Sequence, residues 1–165
     1  MVRSGVKFHK VERKSRFELR RTYQMLIGEY YHNLDTKGRV SIPSKFRDDL
    51  GGTFVLSKGL DNCLYAYSVS EWEGFQQELL ALRGSDAQKV RRFFFSGASE
   101  CEIDSQGRVV IPPNFREYAG LKKELVILGV SNRAEIWDKE KWNEYMTDSS
   151  FESEEIAKAM ERLGI

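Results

Sequence analysis

Apolar and polar residues alternate with a period of two on the approach to one turn and on the exit from another. Ser99, Cys101 and Ile103 interleave with Glu100 and Glu102, and Val40-Ser41-Ile42 alternates in the same way, the pattern of half-buried strands. From Gly28 the chain reads as strand, turn and strand, after which Pro43 opens a short helix through Leu50 with Phe46 and Leu50 inward and Gly51 as its stop. Residues 54–56 form an apolar run suited to a buried strand, and Gly59-Leu60-Asp61-Asn62 turns the chain into a second strand at 64–67. Ser70 and Glu73 make a capping box ahead of a helix carrying Trp72, Phe75, Leu79 and Leu82 on one face, with Gly84 as its stop. Ser85 and Gln88 repeat the box before a helix that contains Val90, Phe93, Phe94 and Phe95 and ends near Gly97. Three consecutive Phe cannot share one face. Either that helix is buried on several sides or one ring meets another subunit, and the second reading is favoured for so small a chain.

The order then repeats. Strands are predicted at 99–103 and 109–111, a helix at 112–119, strands at 125–128 and 134–137 around a turn at Ser131-Asn132, and a helix capped by Asp138. A last amphipathic helix over 153–163 places Ile156, Met160 and Leu163 on one face, to pack on the body or on a neighbour. Asp35-Thr36-Lys37-Gly38-Arg39 returns 69 residues later as Asp104-Ser105-Gln106-Gly107-Arg108, and 9 of the 17 positions in 35–51 are identical in 104–120. The chain is two copies of one unit. In each turn the Asp hydrogen-bonds amides ahead of it, and Gly38 or Gly107 supplies the positive φ of a three-residue hairpin loop with a bulge. Arg39 and Arg108 then open the returning strands, placed either to pair with the Asp or to reach a phosphate or a guanine edge. One such Arg is as readily a structural clamp. Its retention in both copies, where Lys, Gln or Thr would suit a turn equally, points to a task.

At 165 residues the repeat divides the chain into units near the smallest size that folds alone, so the units are expected to share a core in an α+β fold. The expected divisions are a basic extension at 1–24, a first unit at 29–71, connecting helices at 72–99, a second unit at 100–143 and a C-terminal helix at 144–165. No apolar run is long enough to cross a bilayer and no signal peptide is readable, which predicts a cytoplasmic protein. Cys63 and Cys101 have no metal-ligand spacing and read as reduced core residues. The formal charge of +1 hides an asymmetry: residues 1–24 hold eight bases against two acids, net +6, leaving 1 − 6 = −5 for the rest. That basic run is a solvated tail, an extension upstream of a start at Met25, or an arm against DNA phosphates, and composition leaves the choice open. The body has no bulk electrostatic case for binding nucleic acid, so any such function must come from local placement or from repetition of a small site.

Catalytic equipment is missing from the sequence. His9 and His32 are far apart, without Cys or carboxylate at metal-ligand spacing, and no phosphate-cradling glycine loop or nucleophile elbow is present. Asp35 and Asp104 are the nearest candidates, an acid/base pair if pseudo-symmetry joins them, but turn carboxylates in water gain little of the pKa shift that acid catalysis needs. No enzyme, cofactor, metal site or small-molecule substrate is expected.

The doubled Asp-x-x-x-Arg motifs, the Gly-Arg-Val-x-Ile-Pro core, Gly28-Glu29-Tyr30 ahead of the first motif and Gly97-Ala98-Ser99 ahead of the second resemble the MraZ family over 25–163. The resemblance implies two tandem swapped-hairpin units of the AbrB and SpoVT kind sharing a core, with connecting and C-terminal helices. It also implies a nucleoid-associated bacterial transcriptional regulator that binds direct repeats upstream of the division and cell-wall gene cluster, as a ring-like homo-oligomer on double-stranded DNA. The DNA-contacting arginine of the family maps onto Arg39, with Lys37 beside it, and onto Arg108; Lys45, Arg47 and Arg116 are lesser candidates for phosphates. A different class also fits the residues: a protein-interaction scaffold of swapped hairpins that binds no DNA. Lys37 in the first turn tip, replaced by Gln106 in the second, argues against it.

Overall fold

Strands β1 (Glu29–Asn33) and β2 (Arg39–Ser41) flank the first motif turn, and β5 (Ala98–Glu102) and β6 (Arg108–Val110) flank the second. Neither flanking pair closes on itself as a hairpin. β2 pairs antiparallel with β6, matching Arg39 with Val110, Val40 with Val109 and Ser41 with Arg108. β1 instead pairs with β7 (Glu124–Gly129), and β5 pairs with β3 (Thr53–Lys58). Each strand beside a motif turn thus finds its partner in the other copy, the exchange expected of swapped hairpins. The alternation that predicted the strands fits a local hairpin equally well, so the pairing itself had to come from three dimensions. A computed structural model supplies it, describing residues 25–165; the basic extension at 1–24 lies outside the described residues.

β4 (Leu64–Ser68) and β8 (Ala134–Asp138) complete a six-stranded antiparallel sheet of order β1-β7-β8-β4-β3-β5, with β2 and β6 as a separate two-stranded ribbon. The four inner strands read as nearly continuous apolar runs because both faces of the sheet are covered. One face carries Phe54, Leu56, Leu64, Leu125, Ile127 and Ile136. Val40 and Val109 of the ribbon pack on it, together with Phe46 and Leu50 of α1 (Ser44–Leu50) and Phe115 and Ala119 of α4 (Pro113–Ala119). The two units therefore share one core, in which Phe46, Phe54 and Phe115 are fully buried. The opposite face carries Tyr65, Tyr67, Val126 and Trp137 beneath α2 (Val69–Ala81), α3 (Ala87–Ser96) and Trp142 of α5 (Lys139–Met146).

Helix starts differ from the expected registers. Ser68, not Ser70, caps α2, accepting from the Glu71 amide at 3.2 Å, and α2 ends at Ala81, short of Gly84. Both serines match the capping template, and the register that wins stacks Tyr67 on Phe75 and sets Trp72 against both rings. Asp86 precedes α3 in place of the predicted Ser85 box and makes no side-chain cap. Asp138 does cap α5, accepting from the amides of Lys141 and Lys122. The three phenylalanines of α3 are all engaged within the chain: Phe94 is buried, Phe93 meets Phe94 and Tyr118, and Phe95 meets Trp72. The reading that favoured one ring for another subunit is thereby corrected. The three rings take different neighbours: Phe94 packs on Phe75 and Phe95 on Trp72, both of α2, while Phe93 reaches Tyr118 of α4. The last helix, α6 (Ser153–Leu163), leaves Ile156 and Met160 42% and 44% exposed.

The chain entering β1 crosses close over Gly129. Leu26 and Ser131 exchange backbone hydrogen bonds at 2.9 and 2.8 Å, and a Cβ on Gly129 would overlap the Leu26 carbonyl and the Ile27 amide. Backbone on backbone has no rotamer with which to yield. Gly129→Ala is therefore expected to destabilise the fold by about 1–3 kcal/mol, read as a lowered urea midpoint at unchanged m-value. A midpoint equal to that of the parent chain would show that the approach is not tight.

Candidate nucleic-acid interface

Each motif turn is organised by its carboxylate. Asp35 Oδ1 accepts from the amides of Lys37 and Arg39 at 2.9 and 2.8 Å, while Oδ2 accepts from Arg39 Nε at 2.7 Å. The Gly38 amide donates to the Asp35 carbonyl at 3.0 Å, and Gly38 takes φ 75°, in the left-handed region that a residue with a Cβ rarely enters. The second copy repeats this arrangement. Asp104 Oδ1 accepts from Gln106 and Arg108 amides at 2.9 Å each, Oδ2 from Arg108 Nε at 3.2 Å, and Gly107 has φ 77°. Both carboxyls are held below their ordinary value, foremost by the backbone amide of the motif arginine, with the amide two residues on and the guanidinium adding to it. A general acid needs the opposite shift. The antiparallel ribbon also sets the two turns at its opposite ends, since Arg39 lies across from Val110 and Arg108 across from Ser41. Pseudo-symmetry therefore separates Asp35 and Asp104 where an acid/base pair would need them joined.

Val40 and Val109 point into the core, so Arg39, Ser41, Arg108 and Val110 share the outer face of the ribbon. Arg39 and Arg108 stand on neighbouring strands, diagonal to each other. Each spends Nε on its own aspartate, and among the described residues no hydrogen bond engages the terminal nitrogens of either guanidinium. The plane of each head group is thus fixed from one side while its outer donors stay available, the arrangement that suits a guanine O6/N7 edge or a phosphate. Val110, 53% exposed, is an apolar contact of the size that a thymine methyl takes. Sequence reasoning passed over Ser41 and Val110. Alternation with the buried valines was the signal that could have found them.

The remaining predicted residues divide into two groups. Lys37 at the first turn tip and Lys45 in the first turn of α1 are exposed, and their counterparts Gln106 and Asn114 carry no charge. Arg47 and Arg116 are half-buried and lie against the turn glycines of the opposite copy. Among the described residues no three His, Cys, Asp or Glu side chains are grouped to hold a metal, and no helix is long and apolar enough to cross a membrane. Cys63 and Cys101 are free and buried, and burial pushes both thiols up, Cys101 to about 11, so neither supplies a thiolate at neutral pH.

A family profile described as "MraZ protein, putative antitoxin-like" matches twice in tandem, over residues 25–93 and 94–163. The chain is 56% identical over 143 residues to a protein of Caldicellulosiruptor saccharolyticus named transcriptional regulator MraZ. Proteins of the same name from Alkaliphilus metalliredigens and Acetivibrio thermocellus are 52% and 54% identical over 143 residues. Each comparison spans 86% of this chain and the whole of the relative.

His32 on β1 links the stability of the fold to pH. Burial first, and then the charge of Arg47, lowers its pKa from the ordinary 6.5. The unfolded chain therefore takes up the proton first as pH falls, so this stabilising contribution is complete above the ordinary value and declines below it. Urea denaturation at pH 5.5 and 7.5 is expected to show the parent chain losing more stability on acidification than His32→Gln. Equal losses would show that His32 is not held neutral by the fold.

Proposed function

The chain belongs to the MraZ family, and on that premise we propose that it is a transcriptional regulator that binds specific DNA through the outer face of the β2–β6 ribbon. The relatives bear the name of regulators, not of enzymes. The observation that carries the reading is the diagonal pair Arg39 and Arg108, each oriented through Nε by its own aspartate with the outer donors uncommitted. A two-stranded ribbon fits the major groove, where bidentate arginine distinguishes guanine from the other bases. Lys37 and Lys45 supply phosphate contacts on the first-copy side. A scaffold that binds no DNA has no use for this display.

Promoter direct repeats of the division and cell-wall gene cluster are the target that the family resemblance implies, with the protein acting in the cytoplasm at the nucleoid. Charge balance supports assembly as part of that mechanism. Segment 28–50 holds four bases and four acids, and 97–120 holds two bases and four acids, so a single ribbon binds weakly. The open apolar stripe of Ile156, Met160 and Leu163 on α6 supports a homo-oligomer, ring-like in this reading, in which several ribbons engage successive repeats.

Arg39→Ala is expected to abolish specific binding to the upstream region of the protein's own gene while lowering the melting temperature only modestly, because the amides of Lys37 and Arg39 still hold Asp35 when the half-buried guanidinium is gone. Arg108→Ala should cost less, since its copy has no counterpart of Lys37 or Lys45. Titrations beside a duplex of scrambled sequence, with thermal melts, decide the matter: equal losses remove the difference in roles, and normal binding by Arg39→Ala removes the site. For the assembly, DNA with two properly spaced repeats should bind roughly a hundredfold more tightly than DNA with one. Shifting the spacing by half a helical turn should remove most of that gain. Equal affinity for all three duplexes, or a monomer by light scattering, would overturn avidity while leaving DNA binding intact.

A further inference from the structure

Arg47 on α1 and Arg116 on α4 are equivalent residues, and each reaches away from its own copy. A Cβ on Gly107 would overlap the guanidinium carbon of Arg47, and a Cβ on Gly38 would lie 3.0 Å from that of Arg116. The first-copy helix is thus braced against the second-copy turn, and the second-copy helix against the first. Backbone contacts follow the same exchange. The Ile42 amide donates to the Gly107 carbonyl at 2.9 Å, and the Ile111 amide to the Gly38 carbonyl at 2.8 Å. Gly107 and Gly38 immediately precede Arg108 and Arg39. Arg47 Nε donates to the Ile42 carbonyl at 2.9 Å, so its head group is fixed from behind by the residue whose amide holds the turn. Arg116 Nε is buried with no hydrogen-bond partner among the described residues, so the root of its head group is turned away from solvent and toward the opposite turn.

We propose that Arg47 and Arg116 are positioning residues that act across the copy boundary, Arg47 setting the orientation of Arg108 and Arg116 that of Arg39. The proposal rests on the reading of Arg39 and Arg108 as DNA-reading side chains, and it removes Arg47 and Arg116 from the phosphate contacts. A flat guanidinium packs where the turn offers glycine and a peptide plane. Lysine keeps the charge but has no plane to brace with, so the substitution is not conservative at these positions.

Two measurements on the full chain test this. In amide and arginine Nε NMR spectra, Arg47→Lys is expected to move the resonances of Gly107 and Arg108 and to spare those of Gly38 and Arg39, with the reverse for Arg116→Lys. Shifts confined to the substituted copy would overturn the proposal, and this readout needs no DNA. In binding titrations on the upstream duplex, Arg47→Gln and Arg116→Gln should weaken specific binding roughly tenfold, the scale of one disturbed base contact, without changing the salt dependence. A slope of log K against log salt that falls by about one unit per substitution would mark a phosphate contact and overturn the proposal, as would unaltered affinity. Thermal melts show which variants are folded, and Lys and Gln at each position give two chances of a folded chain. If Arg39→Ala binds normally while the cross-copy shifts appear, the DNA reading fails and the bracing stands.

Discussion

The structure depends on an exchange of strands between two copies of one sequence. After each motif turn the chain has only three residues of strand, too short to hold a sheet edge alone, and β2 and β6 satisfy each other. The strands that precede the turns leave for the far edges of the six-stranded sheet. Neither unit can therefore bury Val40, Ile42 and Phe46, or Val109, Ile111 and Phe115, without the other. One core follows from the pairing, and the rigidity of the ribbon follows from the core: the outer face can display polar side chains because the inner face is anchored through Val40 and Val109.

The aspartate turn is where local chemistry meets that exchange. Each Asp collects two amides and one guanidinium nitrogen, closing the turn within five residues and fixing the root of the arginine. Because the carboxylate is held ionised by amides, the same contacts that shape the turn remove it from acid catalysis. Structure and function thus divide a single side chain. Arg39 gives Nε to the turn, and under the proposed function its terminal nitrogens serve the DNA.

Much of this was legible in the sequence where the signal is local. The turn chemistry, the helix after Ile-Pro, the cap at Asp138 and the apolar inner strands all follow from residues within a few positions of one another. Pairing was not legible, because period-two alternation marks a strand's faces and leaves its neighbour unnamed. Ser68 and Ser70 offered the same capping template two residues apart, and only packing of Tyr67, Trp72 and Phe75 selects between them. Arg47 and Arg116 read as lesser candidates for phosphate contacts, since nothing near them in sequence announces the glycine of a turn roughly sixty or eighty residues away. The repeat held a partial clue: both arginines and both glycines are identical between copies, as a reciprocal contact would need.

The two halves of the ribbon share geometry but not chemistry. Ser41 faces outward where the second copy has Val110, and Lys37 and Lys45 stand where it has Gln106 and Asn114. A ribbon with two identical ends would meet a palindrome equally well in either orientation. One whose ends differ in charge and polarity has a direction, because the basic end gains phosphate contacts that the other cannot make. Under the proposed function, successive chains then read DNA in one orientation, which matches direct repeats and not inverted ones. Head-to-tail placement is the corresponding relation between subunits, and a head-to-tail interface that closes produces a ring. The divergence of the copies after duplication thus connects the chemistry of a single turn to the form of the target and of the assembly.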